Sequence, residues 1–239
     1  MTSLKYNEKS IDHTRIRFIS VVIFISISFF SIQCFGQTKL IQNLQAGKKQ
    51  VLVIYGTSLS VYRGGIAWVN ALSPQLNSEY HNQLTVYDAA KSAMWSTWGV
   101  QHLEDSVIKK KPDAVLMEFS MNDAFLPYKT SPDLARLNLN YMIDRIKLAN
   151  PNCEVILQIM NIPINKNADL RPDLEAYFQV YRDVANKRGL LLIDHSYYWK
   201  KILEKGKEEY LKYVPDGIHP DEKSGRDLIA PYIIKQLKK

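Results

Sequence analysis

The sequence predicts an α/β sandwich, with helices packed on a five-stranded parallel sheet. Five short runs rich in β-branched and apolar residues recur along the chain, and helix-like segments fill the intervals between them. Most of the runs are continuously apolar rather than alternating, as strands covered on both faces are. Strands that alternate with helices give a single parallel sheet, and no composition shift marks a second domain.

The chain opens on a different pattern. Lys5, Lys9, Arg15 and Arg17 precede an apolar stretch from Phe18 to Ile32, and the small residues Cys34 and Gly36 follow. That succession is expected of a secretory signal peptide over residues 1–36, cleaved after Gly36, with a single domain over 37–239. The stretch is shorter than the ~20 residues a membrane span needs, so export without stable membrane insertion is expected rather than an uncleaved anchor. Gln33 stands where a lipid-attachment signal wants a small residue, which argues against Cys34 as a lipid acceptor.

The expected strands are Val51–Tyr55, Leu84–Tyr87, Ala114–Phe119, Glu154–Met160 and Leu190–Asp194. Helical spacing covers Ile66–Leu76, Thr97–Lys110, Pro132–Ala149 and Pro172–Arg188. Ser131 is a candidate N-cap with Pro132 at the first helical position, and Gly189 reads as a left-handed helix end. In the third helix Leu134, Leu137, Tyr141 and Ile146 are expected on the core face, with Asp133, Arg136, Asp144 and Lys147 turned away. A last helix is expected from Asp221 or Glu222 to Leu237, kinked or restarted at Pro231. The stretch from Asn161 to Arg171 is the longest without regular structure, and a long loop at a strand's carboxyl end is a place to look for function.

Composition narrows the classes. The 239 residues are 46% hydrophobic and 23% charged, as in an ordinary globular protein. Removing residues 1–36 takes away four basic and two acidic residues, which leaves 27 against 22, or +5. The charges are mixed in sign along the chain, so no nucleic-acid partner is expected. Only Cys153 would remain after cleavage, so no disulfide framework accompanies export. No zinc-type Cys/His spacing occurs, so no metal is expected.

Ligands in open parallel sheets bind at the carboxyl ends of the strands. Val51–Tyr55 ends at Gly56-Thr57-Ser58-Leu59, where Ser58 is either a nucleophile or a cap. Ala114–Phe119 ends at Ser120-Met121-Asn122-Asp123, where the Asn122 amide is either an oxyanion donor or an Asx-turn cap. Near the C-terminus stands Asp216-Gly217-Ile218-His219. Its spacing lets the carboxylate curl back onto the imidazole, although an ordinary turn with a solvated histidine fits as well. Asp194-His195 is a rival pair, but adjacent residues on an extended chain point to opposite faces. Met94, Trp95 and Trp98 read equally as a substrate wall or as core.

Taken together and in this order, the motifs resemble the GDSL or SGNH hydrolase family of esterases and lipases. In that family a serine in the first block, a glycine in the second, an asparagine in the third and a DxxH pair in the fourth make up the site. The resemblance spans Val51 to the C-terminus. Three departures stand out: Thr57 replaces the aspartate of the first block, Ala93 falls at the glycine of the second, and Ser120 replaces the glycine of the third.

The resemblance implies a three-layer α/β/α, flavodoxin-like fold and a serine esterase that needs neither metal nor organic cofactor. It implies Ser58 as nucleophile, His219 as general base and acid, and Asp216 as its orienter. The oxyanion donors would be the Ser58 and Ala93 N–H groups and the Asn122 side chain. Export, nearby aromatic residues and the lack of a long apolar lid favour a small-molecule or carbohydrate ester, with acetyl on a sugar as the leading reading. Thioester or lysophospholipid cleavage, acyl transfer, and a non-catalytic carbohydrate-binding or surface protein on the same scaffold stay open.

Overall fold

The computed structural model describes residues 36–239. The signal peptide expected over residues 1–36, with Cys34, lies outside the described residues except for Gly36. Among the described residues no helix is long and apolar enough to cross a membrane.

Five strands form one parallel sheet: β1 (Gln50–Gly56), β2 (Leu84–Asp88), β3 (Ala114–Glu118), β4 (Glu154–Ile159) and β5 (Leu191–Asp194). Their order is β2-β1-β3-β4-β5, the doubly wound order in which the chain reverses direction across the sheet beside β1. The central strands β1, β3 and β4 are buried along almost their whole length, which is why their sequences are apolar runs rather than alternations. Helices Gly64–Glu79 and Ala230–Leu237 cover one face, and Ser96–Ser106, Pro132–Ala149 and Leu174–Arg188 cover the other. Each expected strand is present to within a residue or so.

The register sets the site. Gly56, the last residue of β1, pairs with Glu118, the last residue of β3, so the two strands end side by side. The turns that follow them therefore share one edge of the sheet.

Three readings of the sequence need correction. The buried face of Pro132–Ala149 is Ala135, Asn138, Leu139, Met142, Ile143 and Ile146, while Leu134, Leu137 and Tyr141 are exposed. Two apolar series run along this helix at helical spacing, and packing on Ser96–Ser106 and Leu174–Arg188 selects the one that includes polar Asn138. Asn138 is accommodated because its amide donates to the hydroxyls of Ser96 and Thr97 at 3.0 and 3.2 Å. The stretch after β4 is not structureless, since Lys166–Asp169 forms one helical turn. The helix expected over Thr97–Lys110 ends at Ser106, followed by a 3₁₀ turn over Ile108–Lys110.

At the C-terminus Pro231 does interrupt a helix. Residues Gly225–Ile229 form a π turn before the last segment, Ala230–Leu237. The wider turn makes room for the pyrrolidine ring, which would strike the i−4 carbonyl of a regular α-helix. The helices Lys39–Gln45, Ser196–Leu203 and Lys207–Leu211 were not read from the sequence.

Candidate active site

At the end of β1 the chain turns through Thr57 into one helical turn, Ser58–Val61. Thr57 is the N-cap, its hydroxyl accepting from Leu59 N–H at 3.2 Å. Ser58 is thus the first residue of the turn and has no intrahelical acceptor for its N–H. A Cβ built on Gly65 would lie 2.7 Å from Ser58 O, so only glycine lets the next helix pass this close beneath the serine. Of the three hydroxyls in the block, Thr57 and Ser60 face inward and are fully buried, while Ser58 lines a cavity.

Asp216 and His219 stand on one loop, bent at Gly217, whose φ is +80°. Asp216 Oδ1 accepts from Ile218 N–H at 3.0 Å and from His219 N–H at 2.7 Å, and Oδ2 meets His219 Nδ1 at 2.9 Å. Burial pushes the Asp216 carboxyl up, but the hydrogen bonds from the His219 backbone, the His219 ring and Ile218 N–H outweigh it and hold it below the usual range. Arg63 Nη1 lies 3.5 Å from Oδ2. His219 Nε2 is 2.9 Å from Ser58 Oγ. An ionised carboxylate only accepts, so the proton belongs on Nδ1 and Nε2 is left to accept from the Ser58 hydroxyl. Such a chain can take the hydroxyl proton as the oxygen attacks a carbonyl carbon. The Tyr62 ring sits edge-on to the imidazole at 5.1 Å.

The three groups expected as oxyanion donors line the same cavity as Ser58 and His219. Ala93 is the third residue of a turn closed by Met94 N–H to Lys91 O at 3.3 Å, and its φ is +60°. A turn that needs positive φ at this position normally takes glycine. The alanine holds the glycine's conformation, and its carbonyl is fastened by Tyr128 OH at 2.6 Å. Among the described residues neither the Ser58 N–H nor the Ala93 N–H donates to a protein acceptor. Asn122 is 6% exposed and spends one amide hydrogen on Met94 O at 2.8 Å, and the other has no acceptor among the described residues.

Arg171, which the sequence reading passed over except as a loop boundary, orders this side of the cavity. It is buried, donates from Nε to Met121 O at 2.8 Å and from Nη1 to Asn167 O at 3.1 Å, and reaches Asn122 Oδ1 at 3.5 Å. Its guanidinium stacks over Phe125, 4.7 Å from the ring centroid. Burial lowers its pKa to about 10, so it stays charged at neutral pH. Because Arg171 touches the oxygen of Asn122, it fixes which end of the amide faces the cavity.

The cavity holds about 470 Å³, and its aromatic wall is Tyr62, Phe125 and Tyr128. Trp95 stacks behind Tyr128 at 4.4 Å rather than lining the space, and Trp98 packs between Tyr55 and His102. His195 is elsewhere: it is buried, its Nε2 is 3.0 Å from Gln158 Nε2, and burial lowers its pKa to about 3. Its neighbour Asp194 pairs instead with Arg182 at 3.0 Å. Asp123 braces the loop after β3 by accepting from Ser96 N–H at 2.9 Å, and burial raises its carboxyl to about 7. Among the described residues no cluster of three or more His, Cys, Asp or Glu could hold a metal ion.

Residues 53–224 match the model of the GDSL-like lipase/acylhydrolase family. The chain is 26% identical over 200 residues to the thioesterase 1/protease 1/lysophospholipase L1 of Escherichia coli K12, covering 81% of this chain and 86% of that protein. It is 25% identical over 227 residues to an arylesterase of Vibrio mimicus, covering 94% and 98%. The fold superimposes on that of an acetylxylan esterase from Geobacillus stearothermophilus with a TM-score of 0.68 at 19% identity, over 81% of this chain and 96% of the other.

Proposed function

The chain belongs to the GDSL-like lipase/acylhydrolase family and is a carboxylic ester hydrolase of it, and we propose that it works through an acyl-serine formed on Ser58. The observation that carries the proposal is the unbroken hydrogen-bond chain from Asp216 through His219 to Ser58. In the first half-reaction Ser58 Oγ attacks the carbonyl carbon while its proton passes to His219 Nε2. The oxyanion is held by the N–H groups of Ser58 and Ala93 and by the second amide hydrogen of Asn122. Collapse breaks the ester C–O bond, and His219 returns the proton to the departing alcohol. Water then repeats the sequence on the acyl-serine, giving the carboxylic acid and the free Ser58 hydroxyl. Asp216 stays ionised throughout and holds the imidazolium.

The substrates we infer are esters of short acyl groups, with acetylated carbohydrate foremost. The aromatic wall of Tyr62, Phe125 and Tyr128 supports this, since such rings stack on sugar faces, and so does a cavity of about 470 Å³. The same reading includes export: the basic and apolar segment before Gly36 supports a signal peptide and a mature domain over 37–239.

The test is fluorophosphonate labelling followed by turnover of a panel: acetylated sugars, aryl esters of rising acyl length, a thioester and a lysophospholipid. The expected result is an adduct on Ser58 that is lost in Ser58→Ala, with kcat/KM greatest for acetyl esters. Preference for long acyl chains would overturn the substrate reading, and absence of both adduct and turnover would remove the mechanism. N-terminal sequencing of the protein recovered from its native host tests the cleavage site.

A further inference from the structure

β3 reads Ala114-Val115-Leu116-Met117-Glu118, four apolar residues and then a carboxylate that is 1% exposed. Among the described residues no Lys or Arg lies within ion-pairing distance of it. Its hydrogen-bond partners among the described residues are all in the turn that carries Ser58. Oε1 accepts from Thr57 N–H at 2.6 Å and from the Ser60 hydroxyl at 2.8 Å. The Thr57 hydroxyl lies 3.1 Å from Oε1 and 3.0 Å from Oε2. The approach is so close that a Cβ on Gly56 would fall 2.3 Å from Oε1.

We propose that Glu118 is the positioning residue of the nucleophile, a buried carboxylate that clamps the turn on both sides of Ser58 and so sets where its hydroxyl and its N–H point. The inference rests on the hydrolase reading above. The donors it gathers come from residues 57 and 60, so the clamp spans the serine without touching it. Thr57 has a defined part here: its hydroxyl meets the carboxylate while accepting from Leu59 N–H, which an aspartate in the same place would do only by sharing a proton with Glu118. A displacement of about 1 Å at a reacting group costs about 100-fold in rate, so losing the clamp strikes catalysis rather than binding.

The clamp works by accepting hydrogen bonds, and an amide of the same shape can replace it. In Glu118→Gln the oxygen still accepts from Thr57 N–H and Ser60, and the NH₂ group donates to Thr57 Oγ1. The other titratable groups that face Glu118 are Asp88 from β2 and Tyr181 from the helix Leu174–Arg188. Neither can supply the missing acceptor to Thr57 N–H, since Tyr181 is engaged with Phe119 N–H at 2.8 Å and Asp88 with Ala90 N–H at 3.0 Å.

The experiment compares wild type, Glu118→Ala and Glu118→Gln by thermal melting, by kcat and KM on one ester, and by the rate of fluorophosphonate labelling. Glu118→Ala is expected to melt cooperatively, to lose about 100-fold in kcat with KM little changed, and to label more slowly by a similar factor. Glu118→Gln is expected to recover kcat to within about tenfold of wild type. Wild-type kcat in Glu118→Ala, or a glutamine variant as slow as the alanine one, overturns the proposal. Should Glu118→Ala fail to fold, the double variant Thr57→Val/Ser60→Ala, which removes both side-chain donors and keeps the carboxylate, must show the loss in kcat instead; unchanged kcat there overturns it equally. A wild-type protein that neither labels at Ser58 nor turns over ester removes the hydrolase reading and this inference with it, whereas normal wild-type labelling with no effect of the variants removes the inference alone.

Discussion

Ala93 holds a backbone conformation that turns normally give to glycine, and substitution there can be read in both stability and rate. Its φ of +60° is a conformation that costs an L-residue about 1–2 kcal/mol and glycine almost nothing. Ala93→Gly removes that cost. It also frees the unfolded chain, which offsets the gain by about 0.4–1 kcal/mol. The side chain is exposed, so losing one methyl forfeits little burial. The native state should therefore gain about 0.7 kcal/mol, a rise in Tm of about 2 °C for a domain of this size. Calorimetry and urea titration read this directly. Turnover should hold within about threefold, because glycine in the same conformation presents the same N–H. Ala93→Val is the converse: a β-branched residue is excluded from this conformation, and the turn must rearrange, taking the donor with it. A glycine variant less stable than wild type, or a valine variant of normal kcat, would refute the claim that the left-handed turn at Ala93 is held at a cost for the sake of its N–H.

Asn122→Ala removes the side-chain donor proposed for the oxyanion and should lower kcat by about 10²–10³-fold with KM little changed, read by steady-state kinetics beside a melting curve. Glu118→Gln should also alter the pH dependence of stability. Burial raises the Glu118 carboxyl from its ordinary 4.5 to about 7 against the hydrogen bonds from Thr57 and Ser60. The folded protein thus holds this proton more tightly than the unfolded chain, and the stabilisation, complete below pH 4.5, is lost as pH rises through about 7. Glutamine has no proton to lose, so relative to wild type it should gain about 3 kcal/mol between pH 4 and pH 8 in urea denaturation. On the helix Pro132–Ala149, Leu137→Ala at an exposed position should change stability by less than about 0.5 kcal/mol. Met142→Ala, at a fully buried one, should cost about 2–5 kcal/mol, and equal losses would restore the face first read from the sequence.

The strands were legible because burial on both faces leaves its mark in consecutive residues. Val51–Tyr55 and Ala114–Phe119 need no knowledge of their neighbours to be read. The Ser131 cap, which accepts from Leu134 N–H at 3.1 Å, and the left-handed Gly189 at φ +62° were legible for the same reason, since their chemistry is confined to one turn. On the helix Pro132–Ala149 periodicity offers two apolar stripes, and only packing against the neighbouring helices Ser96–Ser106 and Leu174–Arg188 selects between them. Glu118 did leave a trace, a lone charge closing an apolar strand. Its meaning lies 61 positions away in Thr57, and that of Arg171 lies 49 positions away in Asn122. No local pattern contains either pair.

The amino-acid sequence by itself determined the parallel α/β architecture, the order of the blocks, and the shortlist of Ser58, Asn122, Asp216 and His219, because apolar runs and short motifs are properties of neighbouring residues. The tertiary structure decided what those residues do to one another. It brings His219 to 2.9 Å from a serine 161 positions away and turns Thr57 and Ser60 inward onto a buried carboxylate. It also sets an alanine at φ +60°, a conformation that turns normally give to glycine. Those outcomes depend on the register of β1 against β3 and on the packing of distant turns, and such contacts exist only once the chain has closed on itself.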